Sequence, residues 1–284
     1  MTLARQSLAA LALTVLSSGP VTANEIDVSQ LPQGDPARKL AVLHLQEVHI
    51  SRIVASVCFV DAGVDPDRHR QIAYTSRDMF EATLPDLAAD VAALDPKDPA
   101  VRRLQGEFGK KKKLWYRFRV FFEHELKAEE PSPDVLAQLA LMEGGLNSAI
   151  ERLYRLVKKK MAKRGQIDLA QQIQERSTFA LIFKAQRVVE EACLVSIGAG
   201  DALERAKLGE AIEHLEQELE DAASGALVDA SVKALIPRWT PLLQELRGLA
   251  TGDSPADDLL PRLQELQDQW EGAMNLDGMF SALG

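Results

Sequence analysis

Two cysteines are the whole thiol inventory of this chain, aromatics make up 5% of it, and histidine occurs five times. These shortages exclude a good deal. Two cysteines do not make an all-thiolate zinc site or a multi-bridge scaffold. There is no CxxCH phrase for haem attachment. The histidines His44, His49, His69, His124 and His214 follow Ala41, Gln46, Pro66, Phe121 and Ala211 by three places. The Glu-x-x-His pair of carboxylate-bridged di-iron bundles is therefore missing. His124-Glu125 begins as a zinc-protease helix would, but Ala128 occupies the second histidine's place. P-loop, GxGxxG and GxSxG phrases are absent. His214 sits at i±4 from Glu210 and Glu218, the spacing of a surface pair. The expectation is a chain that is not an enzyme, with no catalytic residue, no metal and no cofactor.

Long apolar runs are scarce too. The one notable run lies in MTLARQSLAALALTVLSSGPVTANE. Arg5 serves as a positive n-region, Ser7 to Leu16 as an apolar h-region, and Val21-Thr22-Ala23 as a small-x-small cleavage site. That reads as a secretory signal peptide over 1–23, followed by a linker over 24–37. No later run approaches the roughly 18 apolar residues of a membrane span. The expected destination is the periplasm.

Positive charge is scarce overall, with a formal net charge of −9, which disfavours nucleic acid as a partner. Yet 101–164 holds 16 Lys/Arg against 8 Asp/Glu, a local +8 that leaves −17 for the rest. The runs Lys110, Lys111, Lys112, Lys113 and Lys158, Lys159, Lys160 dominate it. They read as a solvated helix face or as a patch for an acidic partner or anionic lipid. Directly after the first run come Trp115, Tyr116, Phe118, Phe121 and Phe122. Trp115, Phe118 and Phe122 share one helical face and read as core. A pocket wall or a foot on a membrane surface is the sharper alternative.

What is abundant is helix-forming sequence: Leu, Ala, Glu, Gln, Lys and Arg fill most segments. Breaks near Gly63-Pro66, Asp95-Pro99, Glu129-Pro133, Gly165, Gly198-Asp201, Ser224-Gly225 and Gly252-Pro255 leave about eight helices. Ser132 or Asp134, Asp201 and Ser254 are N-cap types, and Gly63 and Gly198 suit helix C-caps.

There is also a repeat. HISRIVASVCFVDAG from His49 is echoed by KAQRVVEEACLVSIG from Lys184. Arg52, Cys58, Val60 and Gly63 reappear 135 places later as Arg187, Cys193, Val195 and Gly198. At the same offset Arg70, Glu81, Leu84 and Asp86 match Arg205, Glu216, Leu219 and Asp221. Trp115 then matches Trp239 at an offset of 124, and SPDVLAQLALMEGGLNSAI resembles SPADDLLPRLQELQDQWEGAM. The expected fold is all-α: two tandem antiparallel four-helix bundles from an internal duplication, over 38–164 and 165–284, with the junction near Gly165. Helices four and five either break there or run on as one rod.

Ile50, Ile53, Val54, Val57 and Cys58, and Ala185, Val188, Val189, Ala192 and Cys193, follow i, i+3, i+4, i+7, i+8. Each cysteine is either a small buried hydrophobe or half of a Cys58–Cys193 disulfide, which needs equivalent positions to meet about a pseudo-twofold axis. Arg52 and Arg187 fall opposite the stripe, either as salt-bridged arginines or as lining for an anion or partner site.

The pieces CFVDAGVDPDRHR, RDMFEATLPDL and KAQRVVEEACLVSIG resemble the type IV pili methyl-accepting chemotaxis transducer N-terminal, or PilJ-like, domain family. The resemblance spans about 38–284. It implies a periplasmic helical bundle, related to nitrate-responsive sensing domains whose first-helix arginines grip the anion. The leading arginines of that helix are missing from both copies; Gln46 and Arg52, and Gln186 and Arg187, survive. The candidate ligand residues are thus Gln46, His49, Arg52, Lys184, Gln186 and Arg187. Within these 284 residues no HAMP-like linker or second span follows. The expectation is an exported sensing or binding module acting on a small anion or through a protein partner, a signalling receptor or pilus component. The alternative is a structural or protein-interaction module of an envelope assembly.

Overall fold

Proline and capping residues set most helix starts. A computed structural model describes residues 36–128, 132–163, 169–198, 202–224, 230–252 and 258–273. They form nine helices and no strand: α1 (Pro36–Asp61), α2 (Pro66–Ala82), α3 (Leu84–Ala92), α4 (Pro99–Glu125), α5 (Pro133–Lys163), α6 (Leu169–Ser196), α7 (Ala202–Ser224), α8 (Ala230–Thr251) and α9 (Leu259–Ala273). Pro66, Pro99 and Pro133 each open a helix, where a missing N–H costs nothing. Asp98 caps α4 by accepting from the Ala100 amide at 2.8 Å. Ser132 precedes α5, its carbonyl accepting from Val135 and Leu136. The N-cap assignments to Asp201 and Ser254, the break at Gly225, the junction near Gly165, and the signal peptide and most of the linker lie outside the described residues.

One element differs from the expected eight. The stretch from Pro66 to Leu94 is two helices, because α2 stops at Ala82 and α3 starts at Leu84 after Thr83, with Pro85 in its first turn.

The caps repeat with the sequence. Gly63 has φ 72° and Gly198 φ 74°, the left-handed turn that glycine takes without a Cβ clash. Both amides bond back three residues, Gly63 to Val60 and Gly198 to Val195.

Packing is organised around two central helices. α1 packs on α2, α4 and α5; α6 packs on α7, α8 and α9; and α1 and α6 pack extensively on one another. The first half of the chain thus surrounds α1 and the second surrounds α6, with one contiguous apolar core through both. This changes the reading of the α1 stripe. A helix covered on all sides has no solvent face, so Gln46, His49, Ser51, Arg52 and Ser56 are buried along with Ile50 and Val54.

Cys58 and Cys193 are joined, with Cα atoms 6.1 Å apart. Two residues at equivalent positions of a duplicated sequence touch each other only where a pseudo-twofold axis passes between them. The bond therefore places that axis at the α1–α6 contact, and it ties the two halves across 135 residues of chain. Closing so long a loop removes much unfolded-state entropy. The Cys58→Ala/Cys193→Ala double variant is expected to lose about 2–5 kcal/mol, read as a lower urea midpoint than the parent under non-reducing conditions.

Candidate functional site

The same axis relates two ion pairs. Arg52 on α1 donates to Glu271 on α9 at 2.9 Å. Arg187 on α6 donates to Glu143 on α5 at 2.6 Å. Each arginine reaches a glutamate of the other half. Arg52 and Arg187 are one repeat position, offset 135. Glu143 and Glu271, 128 apart, each begin a Glu-Gly pair in the two resembling late phrases, Met142-Glu143-Gly144 and Trp270-Glu271-Gly272. In an isologous contact, if residue i meets j′ then i′ meets j, and these four residues obey that rule.

Each glutamate is also held by further side chains. Ser51 donates to Glu143, and Asn147 adds a bond at 3.0 Å. At the position equivalent to Ser51, Gln186 accepts from Gln267, which also donates to Glu271 at 2.9 Å. The arrangement is a pair of exchanged clasps, one on either side of the axis.

The second clasp carries extra acid. Arg187 bonds to Glu190 at 3.0 and 3.1 Å and to Glu191. The first copy has Ala55 and Ser56 in those places. Glu143, Glu190 and Glu191 are all buried, and one guanidinium faces three carboxyl groups. They do not all ionise. Burial acts to raise Glu143, but Arg187, a bond from Glu190 and the Ser51 hydroxyl outweigh it and hold Glu143 below the usual range. Burial pushes Glu190 well above it, against the pull of Arg187 and with the help of Glu143. Burial and the neighbouring Glu143 thus favour the protonated form of Glu190, the form able to donate to Glu143. Burial raises Glu191 to about 7, with Glu143 and Glu204 adding to it against Arg187. Burial also works against the Arg187 charge, but the three glutamates more than offset it and raise its pKa.

The candidate ligand residues are thus scattered and engaged. Arg52 and Arg187 face carboxylates. Gln46 donates to Thr83 at 2.5 Å and accepts from Lys111. His49 is buried, and desolvation, with Arg52 nearby, lowers its pKa to about 3. Lys184 is half-buried. Two surface clefts among the described residues lie elsewhere. One of about 460 Å³ is lined by Asp98, Arg103, Leu104, Leu156 and Lys159; one of about 150 Å³ by Arg238, Leu242, Arg262, Glu265 and Leu266.

The lysine patch needs a correction. Lys110, Lys112 and Lys113 are exposed, but Lys111 is fully buried. It lies three residues after Phe108 and four before Trp115, on the inward stripe that continues to Phe118 and Phe122. Its ammonium sits 5.1 Å from the Phe80 ring centre and 5.8 Å from that of Phe108. Desolvation, against the charge of Glu47, lowers its pKa to about 7. In the second run Lys159 is exposed and Lys158 half-buried over the Tyr154 ring; the Lys160 side chain lies outside the described residues. Sequence reasoning put Glu191 on the face of Arg187, missed Glu143, Glu190 and Glu271, and took Lys111 for a surface residue. The Glu-Gly pair common to the two late phrases was a usable signal for two of the glutamates.

No group of three or more His, Cys, Asp or Glu among the described residues is arranged to hold a metal ion. Compared with known proteins, the chain matches no family model, no curated protein and no solved structure.

Two outcomes follow from the clasps. Arg187→Met leaves three buried acids without their cation, and equilibrium urea unfolding at neutral pH is expected to show a loss of about 3–5 kcal/mol. The second concerns pH. Glu191 binds its proton more tightly folded than unfolded, where its value is near 4.5. Between about 4.5 and about 7 the native state holds the extra proton, so this contribution is full in acid and lost as pH rises through that window. Glu191→Gln is neutral throughout. Its melting temperature is expected to fall less than the parent's from about pH 4.5 to about pH 7.

Proposed function

We propose that this chain is an exported, non-enzymatic binding module of the cell envelope, built from two degenerate PilJ-like four-helix units, that engages a protein partner rather than a small anion. The observation that carries this reading is the exchange of glutamates onto Arg52 and Arg187. An anion gripped by the family's first-helix arginines needs cationic donors to spare. Here each guanidinium is held by a carboxylate, and Glu143 is fully buried and bonded on both oxygens. A nitrate or carboxylate solute would have to expel a buried charge that has nowhere better to go.

The disulfide supports export, because such bonds persist in oxidising compartments. It also suits a rigid body presented to a partner. The clasps, the disulfide and the shared core hold the two units as one, so recognition falls to the outer surface.

A thermal-shift screen tests this. The mature chain, from Asn24 onward, is melted with nitrate, nitrite, other small anions, amino acids and dicarboxylates. A ligand at about 100 times its Kd would stabilise the fold by about 2.7 kcal/mol, a visible rise in Tm. The expected result is a flat panel. A saturable rise with one anion, lost in Arg187→Lys or Arg52→Lys, would replace this reading with that of a solute sensor.

A further inference from the structure

The outer face of α4 bears one sign of charge. Between Pro99 and Lys127 there are three acidic residues, and none stands free at the surface. Glu107 is buried against Lys110 and Arg152. Glu123 is half-buried on Arg77 and Arg119. Glu125 is buried and accepts from the Ser132 amide at 2.6 Å. Lys112, Lys113 and Arg117 are exposed and take part in no ion pair among the described residues.

Among these cations stand apolar side chains. Tyr116 is 63% exposed, Val120 48% and Phe121 37%, three of the five large hydrophobics that stand out into solvent among the described residues. Lys113, Tyr116, Arg117, Val120 and Phe121 follow i, i+3, i+4, i+7, i+8, a second stripe on the side away from the core. The aromatic cluster is therefore split, with Trp115, Phe118 and Phe122 buried inside and Tyr116 and Phe121 outside.

The duplication supplies a control. α8 is the equivalent helix, with Trp239 at the place of Trp115. At the same offset of 124, Tyr116, Val120 and Phe121 become Thr240, Gln244 and Glu245, while Lys112 and Lys113 become Ile236 and Pro237. The fold makes this helix a second time without the outer stripe, so the stripe is not there to hold the fold.

We propose that the outer face of α4 docks on an anionic lipid surface, with Tyr116, Val120 and Phe121 entering the interface and Lys112, Lys113 and Arg117 on the headgroups. Charge complementarity selects this occupant. A bilayer offers negative charge directly above an apolar layer, which matches apolar side chains ringed by cations. The acidic face of α7 in a second copy offers Glu210, Glu213, Glu220 and Asp221, but Leu203 is its one large exposed hydrophobe. No helix among the described residues is long and apolar enough to cross a membrane, so attachment is lateral. The inference adds a location to the partner reading without depending on it.

The test is flotation of the mature chain, from Asn24 onward, with vesicles of phosphatidylcholine alone or mixed with phosphatidylglycerol. Starting at Asn24 removes the apolar N-terminal run, which would bind lipid by itself. Binding to the mixed vesicles only is expected, weakening with salt. Each cation removed should lower partitioning about fivefold, so Lys112→Gln/Lys113→Gln/Arg117→Gln should release the chain. Tyr116→Ser/Val120→Ser/Phe121→Ser should weaken binding that persists in salt. All six side chains are exposed, and an unchanged melting curve checks each variant's fold. No flotation with phosphatidylglycerol, or flotation indifferent to both variants, overturns the proposal. So does a result in which the cation variant leaves vesicle binding intact but loses a cross-linked acidic protein. None of these outcomes bears on the anion screen, so the two readings fail separately.

Discussion

The contact between α1 and α6 governs the rest of this structure. Each is the first helix of its repeat, and each sends an arginine to a glutamate of the other half. At the axis lies the Cys58–Cys193 bond, and on either side lies an arginine reaching a glutamate of the opposite half. Once two helices are committed to each other in this way, their remaining flanks must be covered by the other elements. That is why neither helix is amphipathic in the usual sense, and why one core runs through both repeats.

Removing the charges of buried ion pairs from water offsets much of their attraction, so their net contribution to stability is small. Their value here is geometric. Arg52 reaches Glu271 of the other repeat and Arg187 reaches Glu143, so another register of the two repeats would break both pairs. The second clasp goes further, with three acids on one guanidinium, and burial together with Glu143 favours the protonated form of Glu190. The extra acids, and the pH sensitivity that Glu191 brings, sit on one side of the axis alone.

Much of the fold was written in the repeat, and the reason is visible in what the repeated residues do. Gly63 and Gly198 end α1 and α6 in the same turn. Arg70 and Arg205 both donate to a carbonyl at the end of a later long helix, Leu126 just past α4 and Leu249 in α8. Glu81 holds Arg119 of α4, and Glu216 holds Arg247 of α8. The positions kept in both copies are architectural, so a repeat search finds the scaffold and says little about a ligand. The direction of Arg52 and Arg187 was harder. Their place opposite the apolar stripe implies solvent for a surface helix, and only the packing of α6 on α1 turns that side inward. Lys111 was hidden by its neighbours: a run of four lysines reads as surface, although its helical position is that of a core residue, and the second copy has Leu235 there.

The two copies share their capping and packing positions and differ on the outer faces of α4 and α8, and that contrast bears on function. α4 and α8 occupy corresponding positions in the two repeats, and the scaffold does not require their water-facing sides to differ. Yet one carries lysines, an arginine and exposed aromatics, and the other carries Thr240, Gln244 and Glu245. Exposed cations with no ion pair among the described residues repel one another, and exposed aromatics are penalised by water, so the arrangement on α4 is unfavourable for the isolated chain. An unfavourable surface on one of two corresponding helices is what the proposed docking on negative charge over an apolar interior would account for.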